Sequence, residues 1–329
     1  MLTIKQNLLE TIKGGQPDRF VKQYEFLELV MESPLPALAF APGQVATDQW
    51  GITWRWPEGQ VGPMPVHDAE HTVLQDVTQW QDQVHPPAVD LPQEAWALAI
   101  AHAEAVNRDE KYAAVFVAPG LFEMCHHLMS MEGALMSFYD EPERMHELIE
   151  YLTAYELKVA DQIIEHLHPD ALFHHDDWGG QKSTFLSLPM FRTFFLQAYK
   201  KIYAYWKQRG VELVVHHSDS YAATLVPDMI EMGIDIWQGV MTTNNTPELI
   251  EKYGSQITFM GDIDSGPVDV VDWTPELVAE HVEKACLRCG KRYFVPCLTQ
   301  GGNFSSFPGV YDAVSEAIDQ MSARLFSSQ

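Results

Sequence analysis

The chain has 329 residues, and its 46 Asp+Glu against 21 Lys+Arg leave a formal net charge of -25. Such an excess repels phosphate backbones and anionic lipid surfaces, which argues against nucleic acid or a membrane surface as partner. The four cysteines, Cys125, Cys286, Cys289 and Cys297, are too few for a disulfide framework and no long apolar run occurs, so a cytoplasmic protein that does not span a membrane is expected.

In chain order, the opening residues 1–10 read as an amphipathic helix. Short apolar runs at 38–40 and 52–56 are candidate strands, and the Pro-rich stretch 61–92 reads as a surface excursion. From residue 113 onward, apolar runs at 113–117, 171–174, 213–217, 234–237, 257–260 and 293–296 alternate with amphipathic stretches. Two of those stretches, 142–167 and 189–208, open on proline as helix starts do. The pattern predicts a TIM-type (β/α)8 barrel over 1–329, one domain with N-terminal helical and irregular additions. No Gly-x-Gly-x-x-Gly follows any of the runs, which disfavours an open dinucleotide-binding sheet.

The strand ends carry the chemistry. Alternation along 213–217 puts His217 on one face with Leu213 and Val215, beside Asp219, and sends His216 to the other. A histidine beside a carboxylate where a barrel strand stops suits metal ligation or proton transfer; a histidine held by a carboxylate for packing is the structural alternative. The run Phe173-His174-His175-Asp176-Asp177-Trp178 splits by the same alternation into His174 with Asp176 and His175 with Asp177, and leaves open which pair faces the pocket. Cys297, at the end of the last run, could give a soft ligand to zinc together with His217, with Asp219 or a glutamate completing the sphere; a small buried apolar residue is the other reading. Cys286-x-x-Cys289 lacks a second pair and reads as helix packing. Trp50, Trp54 and Trp56 could wall an aromatic pocket or simply pack a core.

The order of motifs resembles the uroporphyrinogen decarboxylase superfamily, and within it the corrinoid-dependent methyltransferases. The resemblance rests on Asp48-x-Trp50-Gly51-x-x-Trp54, Pro119-Gly120-Leu121-Phe122-Glu123, Met131-Glu132-Gly133, His175-Asp176-Asp177-Trp178-Gly179-x-Gln181, His217-Ser218-Asp219 and Glu231-Met232-Gly233. Decarboxylases of the superfamily carry an Arg-Gln-Ala-Gly-Arg signature near the N-terminus to hold porphyrinogen carboxylates. Residues 15–24 here contain one arginine, Arg19, which argues against a tetrapyrrole polyacid. The resemblance implies methyl transfer from a small methylated donor, with an aryl methyl ether favoured, to cobalamin (as cob(I)alamin) carried by a separate corrinoid protein. It implies zinc at His217 and Cys297, with Asp219 where related enzymes have a cysteine. Trp50, Trp54, Trp178, Gln181 and Glu123 are the expected substrate contacts. Asp176 or Asp177, beside His175 and Asp219, is the expected proton donor to the leaving oxygen. A second family spacing fits Glu132, Glu147 and His168 but falls on what reads as an exposed helical face. The reverse reaction, from a methylcorrinoid to a thiol or pterin, and a non-catalytic ligand-binding barrel are the alternatives.

Overall fold

The computed structural model describes residues 1–35, 41–60 and 62–326. After the helix Ile4–Ile12 comes β1 (Leu27–Val30), followed by three short strands, β2 (Val45–Thr47), β3 (Thr53–Arg55) and β4 (Met64–Pro65). Six more follow: β5 (Tyr112–Val117), β6 (Ala171–His175), β7 (Leu213–His217), β8 (Ile236–Val240), β9 (Thr258–Ile263) and β10 (Phe294–Leu298). Strands β1 and β5 to β10 form one seven-stranded sheet in that order, every pairing parallel, so this is a curled, TIM-like α/β sheet wrapped by helices. The chain just ahead of β1 reaches back to the other edge, where Gln23 N–H donates to Pro296 O at 3.2 Å.

The six runs read as strands from residue 113 onward each overlap one of β5 to β10, with boundaries shifted by up to three residues. Three other features differ from expectation. β1, Leu-Glu-Leu-Val, is a sheet strand that periodicity missed, because four residues with only the two end positions buried carry no alternation. The run 52–56 is not a barrel strand: β3 pairs antiparallel with β2 and β4 in a separate small sheet. Asp48 causes this. Its carboxylate accepts from Trp50 N–H at 2.8 Å, Ile52 N–H at 2.9 Å and Trp54 Nε1–H at 2.8 Å, closing a hairpin at Gly51, whose φ is 83°. The remaining candidate strand, 38–40, lies outside the described residues.

The helix Pro142–Leu167 has its proline in the first turn and stops at His168, which takes φ 44°. The stretch 189–208 forms one helical run, Leu188–Phe191 and Gln197–Gln208 joined by a π-helical turn, Arg192–Leu196.

Strand alternation divides the core in two. Leu27, Ala114, Phe173, Val215, Met260 and Val295 meet inside the curl of the sheet. Leu172, Val214, Trp237 and Phe259 face the helices. Full burial of each such side chain contributes about 1.5–3 kcal/mol, so the parity of each strand is strongly specified. That parity then dictates where the polar residues at the strand ends point.

Candidate active site

Strands β6 and β7 pair in register with His174 opposite His216 and His175 opposite His217. Residues 173 and 215 point into the curl, so His175 and His217, two positions on, do the same. Their rings stack at 4.4 Å with an interplanar angle of 19°. The other pair faces the helices. There His174 Nε2 meets Glu156 at 2.7 Å, and the Tyr203 hydroxyl lies 3.2 Å from His174 Nδ1 and 2.8 Å from His216 Nδ1. His216 Nε2–H donates to Asp176 O at 3.2 Å, and Trp178 stacks on the His216 ring at 3.9 Å.

The ambiguity between the two aspartates is resolved by the same parity. Asp176 lies on the helix side, fully buried. It accepts from Glu123 N–H at 2.8 Å, Phe122 N–H at 3.1 Å, Trp178 Nε1–H at 2.9 Å and the Tyr199 hydroxyl. The first two open the helix Leu121–Met129, so Asp176 tethers a helix N-terminus to the end of β6. Burial and the neighbouring Glu123 carboxylate push its carboxyl upward, against the pull of the N–H donors. Gly120 makes the approach feasible: a Cβ there would stand 2.4 Å from Asp176 Cβ.

Asp177 lies on the other side, with 29% of its side chain exposed. Its Oδ1 accepts from Asp219 N–H at 3.0 Å and stands 4.0 Å from His217 Nε2. Glu123 Oε2 lies 2.9 Å from His175 Nδ1, and His217 Nδ1 is hydrogen-bonded to Gln238 Oε1. Ligand atoms of His175, Asp177 and His217 lie within 4.8 Å of one another. The electrostatics follow from this crowding. Burial, then Asp177, raise Asp219 to about 8. Burial acts to lower His175, but Glu123, Asp177 and Asp219 outweigh it and hold the ring up at about 10. Burial, then His175, lower His217 to about 4. The mouth of the sheet thus gathers three carboxylates and two imidazoles, and among the described residues no lysine or arginine pairs with any of those carboxylates.

The chain belongs to the uroporphyrinogen decarboxylase (URO-D) family. That family's sequence profile matches residues 44–296. The fold also matches a methyltransferase from Methanosarcina mazei, with a TM-score of 0.62 and 14% sequence identity over 98% of this chain and 99% of that one. None of the curated proteins matches.

The URO-D family match leaves each expected site residue to be located in this chain. Cys297 points inward from β10 and is fully buried, and burial pushes its thiol up. Its Sγ lies 4.0 Å from Gln238 Nε2, so Gln238 stands between it and His217. The three tryptophans expected to line one pocket go to three places. Trp178 packs on the helix side against His216, Phe191 and Tyr199. Trp50 packs against Tyr155 and lines a surface cavity of about 400 Å³ together with Glu70, His71 and His85, apart from the His175 cluster. Trp54 meets His127 edge-on at 4.9 Å. Gln181 is exposed on the loop after β6, and Glu123 holds His175. Glu147 is engaged by Arg144 and Trp80, while His168 caps the far end of the same helix, roughly 30 Å away at 1.5 Å per residue, so that alternative set does not converge. Cys286 and Cys289 are buried in the helix Pro275–Cys289, as packing residues. Sequence reasoning missed Gln238, whose only signal was a polar residue at an inward position of β8 just before a bulge.

Proposed function

We propose that the chain moves a methyl group from a small methylated donor, an aryl methyl ether above all, to cob(I)alamin carried by a separate corrinoid protein. The observation that carries this reading is the anionic mouth, which among the described residues has no paired lysine or arginine. A porphyrinogen polyacid needs arginines there. Arg19, the one candidate, is spent on Asp18 at 2.6 Å and Leu2 O at 3.1 Å. Within the URO-D family this favours a neutral donor, and a methyltransferase that shares the fold supports the choice.

In this reading the methyl–oxygen bond breaks as the corrinoid takes the methyl group, and the departing oxygen needs a proton. Asp219 supplies it: burial and the Asp177 carboxylate keep it protonated to about pH 8. Asp177 and His175, each more than a quarter exposed, face the incoming donor, while His217 is held neutral beneath them. A zinc ion bound at the His175, Asp177 and His217 cluster would add Lewis acidity toward the same oxygen.

Incubation of the purified chain with free cob(I)alamin and a panel of methyl ethers, methylamines and methyl thiols tests this. Methylcobalamin formation from an ether is the expected result. Demethylation of methylcobalamin onto a thiol or pterin, with no ether consumed, would overturn the direction, and binding without turnover would overturn the activity.

A further inference from the structure

We infer that the mouth cluster is a nitrogen and oxygen metal centre whose donors are His175 Nε2, His217 Nε2 and Asp177 Oδ1, with the Cys297 thiol outside the coordination sphere. This rests on reading the cluster as the reaction's site and specifies its ligand atoms.

Gln238 decides the matter. Its amide nitrogen donates to Leu298 O at 3.1 Å and to Thr299 O at 3.3 Å, two groups that only accept. The amide oxygen is therefore the atom turned toward His217 Nδ1, and that nitrogen must carry the ring proton. The bare lone pair is left on Nε2, which faces Asp177. Glu123 acts in the same way on His175: its carboxylate, 2.9 Å from Nδ1, accepts the proton held on that nitrogen, so Nε2 is the nitrogen that gives up its proton to a metal ion. A carboxylate or carbonyl on the far nitrogen is how proteins orient metal-binding imidazoles. Here both rings have such a partner, and they stack in parallel at 4.4 Å.

Neither Nε2 makes a hydrogen bond among the described residues, although His217 is only 3% exposed. Three donors within 4.8 Å need to contract by roughly 1 Å to meet the spacing set by zinc bonds of about 2.0–2.2 Å. Three protein ligands leave a fourth position free for a substrate oxygen. Cys297 is on the wrong side: its Sγ lies against the Gln238 amide nitrogen, toward the protonated Nδ1 edge of His217. With two nitrogens and one oxygen, the site suits zinc or another borderline divalent ion and not a thiolate-seeking one.

The test is chelator-stripped chain titrated with Zn(II), and with Co(II) as the spectroscopic probe. One equivalent should bind, and the cobalt spectrum should lack a sulfur-to-metal charge-transfer band. Cys297→Ser should leave affinity and spectrum unchanged. Gln238→Leu should weaken binding about 10–100-fold, and Glu123→Leu should do so more than Glu123→Gln, which keeps an acceptor for His175. His175→Ala, Asp177→Asn and His217→Ala should lose more than that, with far-ultraviolet circular dichroism showing that each is folded. If a histidine variant does not fold, the wild-type spectrum and Cys297→Ser still decide. A thiolate band, release of the ion by Cys297→Ser, or no stoichiometric ion would each overturn the inference. Methyl transfer by ion-free protein would overturn it and leave the proposed function standing; tight binding at these donors without methyl transfer would do the reverse.

Discussion

Asp176 and Asp177 are adjacent in sequence and opposite in role, since one side chain enters the helix layer and the other the mouth of the sheet. In the proposed reaction the proton for the leaving oxygen is assigned to Asp219, whose carboxyl is raised to about 8 at the mouth, while Asp176 is fully buried on the helix side and Asp177 lies against His217. Asp219→Asn removes the donor and keeps the shape, so methyl transfer from a poorly acidic phenol ether should fall by about 10²–10⁴-fold. Ethers with electron-withdrawing rings need less help and should recover; a uniform loss across the series would point to positioning instead. The same group sets a pH dependence in the metal-free chain. A carboxyl raised to about 8 when folded binds a proton that the unfolded chain has released, and His175, raised to about 10, acts in the same direction above its ordinary value of about 6.5. Stability from these two groups therefore falls as pH rises. His217, lowered to about 4, opposes them only below about pH 6.5. Thermal melts between about pH 6.5 and 8 should accordingly fall less steeply in Asp219→Asn than in the wild-type chain, and equal slopes would contradict the assignment.

The end of β6 is tied down on both faces. Inside, Glu123 fixes His175; outside, Asp176 holds the N-terminus of the helix Leu121–Met129 that carries Glu123, so one strand end and one helix start set the mouth together. Behind them the Glu156, His174, Tyr203 and His216 chain is wholly internal. His216 Nε2 donates to Asp176 O, so its Nδ1 must accept from the Tyr203 hydroxyl. Tyr203→Phe strips the partner from two buried imidazoles and should cost about 1–3 kcal/mol in urea denaturation. A change of less than about 0.5 kcal/mol, the usual size for an unimportant surface site, would show that the chain of contacts does not stabilise the fold.

Across the whole molecule, the -25 charge and the carboxylate-lined mouth bear on what can enter. A polyanionic ring meets repulsion at every approach, and Arg19 is already paired with Asp18. No carbon dioxide should be released from uroporphyrinogen, as a radiometric assay would show; release at a rate comparable to methyl transfer would place the chain on the decarboxylase side of its family. Among the described residues no helix is long and apolar enough to cross a membrane.

What the sequence determined by itself was everything carried along a single element. Short apolar runs between amphipathic stretches located β5 to β10, the proline-opened 26-residue helix Pro142–Leu167 was readable from its pattern, and Leu213 and Val215 were enough to send His217 inward. Tertiary structure decided what depends on register between distant segments. Only the pairing of β6 with β7 stacks His175 on His217, and only the parity shared with Phe173 chooses Asp177 over Asp176. Gln238 reaches His217 from a different strand, and Cys297 is separated from that ring by the Gln238 amide, whose orientation is imposed by carbonyls some 60 residues on in the chain. Local periodicity cannot encode such distances, because they are set by how the sheet curls once its two cores are packed.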